Sequence, residues 1–413
     1  MERTLPSFSD AAVVGGDGPQ ALKVQLSGRP DAAFNRLYDR LQALRDGRAH
    51  RARIIVWGDS HIAGEALVAR LRQQLQQRLG DGGPGFVYLG RPWRSYRQLQ
   101  VTLSESRNWR VERLWSHYSR RHPQPRDDLL GPGGISMYTT HTAWARIAAR
   151  RRGDSFATAD IHYLRQPGGG RVMVQTAGKR LRWIMTVGSE KEPAVAHVDL
   201  PRGTRQLELL TGATGEVRLF GVDLGSGKPG VVVDALGING ARASVIGKWN
   251  EALITEQLRH LAPDLVVLAY GSNEVDSDNL TPETFAAGFD DALRRMRRMA
   301  PDAACLVLGP PDQARYSREA RRWEVPSRLD SLVEQQRRVA SLRGCAFWDQ
   351  RGAMGGSGAI FNWVRAAPPL ARPDHVHLSW AGYRQIADAL FDALVQGWTE
   401  HRGSAPSAPI SRQ

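Results

Sequence analysis

The chain has 413 residues, of which 41% are hydrophobic, so it can bury a sizeable core in one large domain or two. Its formal net charge of +14 favours an anionic partner, such as nucleic acid, lipid headgroups or an acidic cell-wall polymer. The basic residues are scattered, and the sequence carries no helix-turn-helix, zinc-finger or RNA-binding signature, so we predict no nucleic-acid partner. No apolar run reaches the length of a membrane span.

Residues 1–30 are polar and lack the apolar core of a signal peptide, and we predict a flexible N-terminal arm there. The sequence leaves open whether the protein is cytoplasmic or whether a leader was removed. The two cysteines, Cys305 and Cys345, lie in apolar runs. We expect two buried free thiols at these positions in preference to a disulfide.

The first periodic elements surround a serine. Helical spacing of apolar residues predicts a helix over 33–44, and the apolar run 54–57 then stops at Gly58, two residues before Ser60. Another helical pattern follows. A hydroxyl on such a strand–turn–helix unit points out of the carboxyl edge of a parallel sheet, near backbone N–H groups. That position suits a nucleophile whose attack creates an oxyanion, although a plain loop before a helix has the same residues.

From residue 106 to 227 the pattern changes to short alternating strands separated by Gly, Pro and Thr. This pattern predicts an inserted antiparallel β-sandwich. Four tryptophans of the segment can stack on sugars, but we expect each of them to fill the sandwich core. They are Trp109, Trp115, Trp144 and Trp183.

After residue 228 strand and helix patterns alternate, which predicts a parallel sheet wrapped by helices with function at the carboxyl ends of its strands. The predicted strands cover 231–233, 265–268, 305–308 and 345–348. The predicted helices cover 253–261, 281–299 and 325–342, with a last one that Ser379 caps.

Three further motifs follow predicted strand ends. A glycine-rich loop with Gly237 and Gly240 lets the backbone approach a ligand and offer an N–H. Asn273 follows a buried strand, and its amide is another candidate oxyanion donor. Asp374 and His377 are three apart, so the carboxylate can hold one ring nitrogen while the other faces the serine. Alone, each motif is also compatible with turn glycines, a loop asparagine, a helix-entry charge or a structural histidine.

Together the four motifs resemble the SGNH (GDSL-type) hydrolase superfamily. The matching blocks are Gly58-Asp59-Ser60, Gly240, Gly271-Ser272-Asn273-Glu274 and Asp374-His375-Val376-His377. The resemblance implies a flavodoxin-like three-layer α/β/α sheet. It also implies Ser60 as the nucleophile, His377 as the base and Asp374 as the residue that orients the base.

The same resemblance implies an oxyanion hole made of the Ser60 N–H, the Gly240 N–H and the Asn273 amide. Gly237 is the other candidate for the second-block donor. The resemblance requires no metal, and we predict no cofactor. A metal site at His375 and His377 is disfavoured because no third ligand clusters with them.

Within the superfamily, the chain is similar to bacterial peptidoglycan O-acetylesterases with an inserted β-sandwich. The matching stretches are Gly58-Asp59-Ser60-His61, Gly82-Gly83-Pro84-Gly85-Phe86-Val87, Ile238-Asn239-Gly240-Ala241, Ala353-Met354-Gly355-Gly356 and Asp374-His375-Val376-His377-Leu378. His61 replaces the leucine of the superfamily's name and Glu274 the usual aspartate, and both changes are typical of that subgroup. The inserted segment matches only in pattern and place, as a domain like a carbohydrate-binding module.

This likeness implies a carboxylic ester hydrolase that removes O-acetyl groups from a cell-wall or other polysaccharide, peptidoglycan above all, through an acetyl-enzyme on Ser60. It also implies a periplasmic or extracellular location, while the absence of a visible signal peptide keeps a cytoplasmic one open. Two other functions stay open. One is a glycan O-acetyltransferase with the same triad, and the other is a glycan-binding protein without catalysis.

The predicted domain organisation has a hydrolase domain in two parts, 31–105 and 228–400. The β-sandwich over 106–227 separates them. The arm 1–30 precedes the first part, and a flexible tail over 401–413 follows the second.

Overall fold

The structure is a computed structural model that describes residues 19–28, 31–115, 124–277 and 280–404. The helices of this part are α1 (Ala32–Arg45), α2 (Ser60–Ala63), α3 (Ala66–Leu79), α4 (Glu251–Leu261), α5 (Pro282–Met299), α6 (Arg328–Leu342), α7 (Gln350–Met354), α8 (Ala359–Arg365) and α9 (Trp380–Ser404), with a 3-10 helix at Ala243–Lys248.

The strands of the same part are β1 (Ser27–Gly28), β2 (Arg51–Gly58), β3 (Gly85–Val87), β4 (Val101–Glu105), β5 (Arg110–Arg113), β6 (Ile135–Thr139), β7 (Ala143–Ala149), β8 (Phe156–Arg165), β9 (Arg171–Thr176), β10 (Lys179–Met185), β11 (Glu192–Thr204), β12 (Gln206–Thr211), β13 (Val217–Gly225), β14 (Gly230–Gly237), β15 (Leu265–Ala269), β16 (Ala304–Leu308), β17 (Arg315–Ser317), β18 (Arg322–Glu324) and β19 (Ala346–Trp348).

The central sheet has the order β1-β19-β16-β15-β2-β14, and all its pairs are parallel except the one between β1 and β19. Side chains of β2 alternate between two hydrophobic clusters, with Ile54 and Val56 on one face and Ile55 and Trp57 on the other. Helices α1, α3 and α9 cover the first face, and α4, α5 and α6 cover the second. The predicted α/β sheet wrapped by helices is therefore confirmed.

Two predicted element bounds differ from the structure for local reasons. Helix α6 begins at Arg328 and not at 325, because Pro326 disfavours helical backbone in the residue before it. Strand β14 extends four residues beyond the predicted 231–233, in parallel register with β2. Its charged Asp234 hid this extension from the hydrophobic pattern, although that side chain is fully buried.

The strands that follow α3 and precede β14 form two antiparallel sheets, β10-β9-β12-β7-β4 and β11-β8-β13-β6-β5, and side chains of both sheets share one hydrophobic cluster. Their strands begin before residue 106, the predicted start of the inserted segment. Strand β3 already pairs with β13, and β4 pairs with β7. Sequence reasoning missed both strands because β3 is only three residues long and β4 has Val101 as its one buried member.

The tryptophans of these sheets do not all lie in the core. Trp109 is buried as expected, and Trp115 is partly buried with the Arg113 guanidinium 3.9 Å over its ring. The expectation is wrong for Trp144 and Trp183, whose exposed fractions are 40% and 48%. Strand alternation turns both of them away from the shared cluster.

The expectation of free thiols is also wrong, because Cys305 and Cys345 form a disulfide. Cys305 lies in β16 and Cys345 immediately precedes β19, the strand next to β16 in the sheet. This adjacency brings the two Cα atoms to 4.6 Å. The pairing was hidden in the sequence because 40 positions separate the two cysteines.

The described part of the predicted N-terminal arm is held by the fold. Strand β1 pairs with β19, and the Leu22 N–H donates to the Ala353 carbonyl at 2.7 Å. Helix α9 continues to residue 404, past the predicted start of the tail. The rest of both predicted segments lies outside the described residues. Among the helices of the described part, none is long and apolar enough to cross a bilayer.

A buried ionic cluster joins the central sheet to the antiparallel strands. Arg53 of β2 is 1% exposed and donates to Asp234 of β14 at 2.7 Å and to Asp223 of β13 at 2.5 Å. Burial alone would raise the pKa of Asp223, but the guanidiniums of Arg53 and Arg51 lower it to about 2. The second oxygen of Asp234 accepts the Phe86 N–H of β3 at 2.8 Å. The cluster thus ties β3, β13 and β14 to β2, the strand that carries Arg53 and Arg51.

Replacing Arg53 by methionine is expected to lower the free energy of unfolding by about 3–5 kcal/mol, because buried Asp234 loses its cation and buried Asp223 keeps only the pairing with Arg51 at 3.0 Å. Urea unfolding followed by circular dichroism measures this change. The control is Arg259→Met, which removes an exposed ion pair with Glu256 and should cost less than about 1 kcal/mol. Equal losses in the two variants would contradict this role of the cluster.

Candidate active site

The motif-bearing loops start from one edge of the central sheet. In the parallel register Gly58, the last residue of β2, stands beside Gly237 of β14 and Ala269 of β15. The three strands therefore end side by side, and the loops that follow them leave from adjacent points. These loops carry Ser60, Gly240 and Asn273.

The turn that carries Ser60 packs directly against the backbone of glycine residues at this edge. A Cβ atom on Gly237 would lie 2.4 Å from the Ala63 nitrogen and 2.7 Å from the Asp59 oxygen, and one on Gly58 would lie 2.7 Å from the Ala269 oxygen. Only glycine fits at either position, so Gly237 serves the packing of the Ser60 turn.

Gly240, the other candidate donor in the second-block loop, is in a different environment. Its φ angle is 72°, and a Cβ atom there would meet nothing within 4 Å. It is also exposed, whereas Gly237 is buried. Its backbone is therefore accessible to a ligand. This accessibility favours Gly240 over Gly237 as the predicted N–H donor to an oxyanion.

Ser60 opens the short helix α2, and Asp59 caps it by accepting the His61 N–H at 2.9 Å. The Ser60 Oγ lies 2.9 Å from Nε2 of His377. Nδ1 of the same ring lies 2.9 Å from Oδ2 of Asp374. The structure thus brings a hydroxyl, an imidazole and a carboxylate into one hydrogen-bonded chain, although 317 positions separate Ser60 from His377.

The loop before α9 holds the carboxylate of this chain. Oδ1 of Asp374 accepts the N–H groups of Val376 at 3.0 Å and His377 at 2.9 Å. Burial raises the pKa of Asp374, but these two N–H groups and the His377 ring outweigh burial and hold the pKa below its usual value. Asp374 is therefore ionised and faces a fixed ring nitrogen.

His375, inside this loop, has a φ angle of 55°, which L residues rarely adopt. Its carbonyl accepts the Ala314 N–H at 2.9 Å. Its ring stacks on Trp323 of β18 with centroids 4.0 Å apart and planes at 26°, and Phe361 of α8 lies 5.8 Å away. Sequence reasoning missed this support. The only signal for it was a single tryptophan in a charged stretch.

His61, next to the serine, supports the imidazole from the other side. It is 4% exposed, its Nδ1 lies 2.8 Å from the Tyr383 hydroxyl, and its ring centroid lies 5.3 Å from that of His377. Burial, helped by the neighbouring His377, lowers the pKa of His61 to about 3, so the ring is neutral. The sequence marked His61 only as a departure from the superfamily pattern.

The third-block loop is fixed against the second-block loop. The Asn273 amide donates to the Ala241 carbonyl at 2.9 Å, and Nε of Arg242 donates to the Asn273 carbonyl at 3.1 Å. The Glu274 carboxylate accepts the Ala243 N–H at 2.8 Å. Because an amide nitrogen carries two hydrogens, Asn273 has a second one that can serve an oxyanion.

This arrangement suits acyl transfer. An imidazole at hydrogen-bond distance can take the serine proton, and a carboxylate on its far nitrogen stabilises the resulting imidazolium. In the part of the chain that the structure describes, no group of three or more His, Cys, Asp or Glu side chains is placed to hold a metal ion.

Comparison with known proteins identifies related sequences and folds. Residues 202–385 match the model of the GDSL-like Lipase/Acylhydrolase family. This match includes Gly240, Asn273 and the Asp374–His377 motif, while Ser60 lies before it. A search of curated proteins gave no match.

Among solved structures, one described as a peptidoglycan O-acetylesterase superposes with a TM-score of 0.76 at 26% identity, over 91% of this chain and 99% of that one. A Bacillus subtilis protein has a TM-score of 0.33 at 14% identity, over 79% and 98% of the two chains. A family two carbohydrate esterase from Cellvibrio japonicus has 0.30 at 9%, over 72% and 99%.

We predict that Trp323→Ala slows covalent labelling of Ser60 by a fluorophosphonate roughly ten- to a hundredfold, because an unsupported His375 loop misplaces the imidazole. The rate of label incorporation, followed by mass spectrometry, measures this. Tyr316→Ala is the control, since Tyr316 lies on the same hairpin and contacts Trp323 but is 51% exposed. The result that speaks against the support role is an equal rate in Trp323→Ala and the control.

Two buried acids near Ser60 predict a pH dependence of stability. Burial raises the pKa of Asp59 to about 8 and that of Glu274 to about 7. The folded state therefore holds protons that the unfolded chain releases above its ordinary carboxyl pKa, so the free energy of unfolding falls as pH rises from about 4 to about 8. Asp59→Asn should make this fall shallower, as measured by urea unfolding at pH 5 and pH 8. An unchanged difference between the two pH values would refute the assignment.

Proposed function

We propose that the chain is a serine esterase of the GDSL-like lipase/acylhydrolase kind, whose family model matches residues 202–385, and that it removes O-acetyl groups from a cell-wall polysaccharide. The observation that carries the proposal is the hydrogen-bonded chain from Ser60 through His377 to Asp374 at the carboxyl edge of the sheet. The match to a peptidoglycan O-acetylesterase along 91% of the chain supports acetylated peptidoglycan as the substrate class.

In the proposed mechanism, the Ser60 Oγ attacks the carbonyl carbon of the acetyl ester while Nε2 of His377 takes its proton. The tetrahedral intermediate collapses, and the imidazolium returns the proton to the departing sugar oxygen. An acetyl-enzyme on Ser60 remains. Water, deprotonated by His377, then attacks this ester and releases acetate. Asp374 keeps the proton on Nδ1 and stabilises the imidazolium in both halves.

The oxyanion that forms in each half needs N–H donors that point at the former carbonyl oxygen. We assign this role to the Ser60 N–H, the Gly240 N–H and the Asn273 amide. The accessible backbone of Gly240 and the fixed amide of Asn273 support the assignment. Preorganised donors of this kind typically contribute about 3–4 kcal/mol each to lowering the barrier.

We further propose that β3 to β13 form an inserted β-sandwich domain that helps to hold the glycan, with the hydrolase domain on either side of it in sequence. The two antiparallel sheets and their shared cluster support this division. The net charge of +14 suits an acidic polymer. A periplasmic or extracellular location is part of the proposal, and the Cys305–Cys345 disulfide supports it because such bonds persist in oxidising compartments.

Ser60→Ala and His377→Ala should each lower kcat/KM for p-nitrophenyl acetate by at least about a thousandfold, with the fold intact. The double variant should lose little more than either single one, because the two groups act as a unit. Initial rates and circular dichroism of the purified variants test this. Full turnover in Ser60→Ala would rule out the mechanism.

The substrate is tested by measuring acetate release from O-acetylated peptidoglycan beside acetylated xylan and a long-chain p-nitrophenyl ester. We expect the fastest release from peptidoglycan. A parallel assay with an added oligosaccharide follows acetyl transfer to sugar hydroxyls. Transfer in excess of acetate release would identify an acetyltransferase, and preference for the long-chain ester would reject a polysaccharide substrate.

A further inference from the structure

The antiparallel sheet β10-β9-β12-β7-β4 has one face in the shared cluster and one face in contact with solvent. Ile184, Val174, Leu209 and Ala145 belong to the inner face. The neighbours of these residues along each strand point the opposite way. The side chains of the outer face therefore lie outside the shared hydrophobic cluster.

The register of the strands puts four apolar side chains of this outer face in one line. Trp183 of β10 stands opposite Met173 of β9, Met173 opposite Leu210 of β12, and Leu210 opposite Trp144 of β7. Met173 is buried at 5% exposure and Leu210 is half-buried, whereas the tryptophans at the two ends are exposed. Three strand spacings separate the two indoles, which is about 14 Å.

A polar row runs beside the apolar one. Arg180, Gln175, Glu208 and Arg146 stand opposite one another across the same four strands. Glu208 accepts from Arg146 at 2.7 Å and from Gln175 at 2.6 Å, so these side chains are held in place. An elongated ligand that crosses the strands would meet aromatic rings along one side and hydrogen-bonding groups along the other.

The face is also basic. Arg171 lies 4.7 Å over the ring of Trp183, and Arg146 lies 5.6 Å over that of Trp144. Arg146, Arg171 and Arg180 thus give this part of the face three guanidinium groups, whereas Glu208 gives the two rows a single carboxylate. A face that combines open indoles, fixed polar groups and excess positive charge suits a carboxylate-bearing sugar polymer better than an uncharged apolar surface.

We propose that this outer face, from Trp144 to Trp183, binds an anionic polysaccharide chain laid across the strands, as a site separate from Ser60. The choice of a polysaccharide rests on the proposed function. The site holds the protein on the polymer whether or not the bound stretch carries acetyl groups. Sugar rings stack on the two indoles, and carboxylates of the polymer pair with Arg171 and Arg180.

The test uses the full chain and insoluble peptidoglycan from which mild alkali has removed the O-acetyl groups, so that no ester is present for Ser60. Trp144→Ala and Trp183→Ala together should weaken retention on this material by at least about tenfold. Leu342→Ala is the matched control, because Leu342 is a large exposed side chain on α6. It should be retained like the wild type, and all proteins should unfold at the same temperature.

Arg171→Gln should weaken retention several-fold and reduce its dependence on salt. Three results would overturn the proposal: retention of the double variant equal to wild type, retention that salt does not affect, or a wild-type dimer that the double variant loses. The last result would make the face an interface between copies. Acetate release is measured separately on O-acetylated peptidoglycan. If the wild type releases no acetate but is still retained on the de-O-acetylated material, the proposed esterase activity is rejected. If the wild type releases acetate and the double variant is retained as well as the wild type, only the proposed binding face is rejected.

Discussion

Close backbone packing at the carboxyl edge of the central sheet is the constraint on which the site depends. The Ser60 turn sits so near Gly237 that a methyl group in place of its hydrogen would contact the Ala63 nitrogen. The Asp59 N–H bonds the Ala269 carbonyl, and the Ile238 N–H bonds the Gly58 carbonyl. Three strand ends and the serine turn therefore form one rigid unit. A side chain at Gly58 or Gly237 would move the hydroxyl away from the imidazole of His377, which lies on the loop before α9.

The imidazole depends on a different kind of support, because its loop lies between helices α8 and α9 and does not continue from a strand of the central sheet. The left-handed backbone of His375 is held by a hydrogen bond to Ala314 and by the stacked ring of Trp323. Neutral His61 fills the space behind the ring of His377. Serine and imidazole are thus positioned by separate parts of the molecule, and their hydrogen bond is where the two meet.

Sequence reasoning predicted correctly those features that a local pattern of residue types determines. Gly58, Ser60 and the spacing of Asp374 and His377 pointed to a sheet edge, and the alternation of apolar runs predicted the parallel sheet. It failed where the outcome depends on a partner far along the chain. The cysteines read as separate core residues because nothing local shows that β16 and β19 are neighbours. The outward direction of Trp144 and the stacking of Trp323 depend on strand register and on a distant hairpin, which hydrophobic patterns do not encode.

The central claim is that the serine hydroxyl, the imidazole and the oxyanion donors converge on one reacting carbon. A crystal structure of the Ser60 phosphonate adduct tests it most directly, because the phosphoryl oxygen occupies the position of the oxyanion. We predict this oxygen at about 3 Å from the backbone nitrogens of Ser60 and Gly240 and from Nδ2 of Asn273. An adduct whose phosphoryl oxygen points into solvent, away from all three nitrogens, would contradict it.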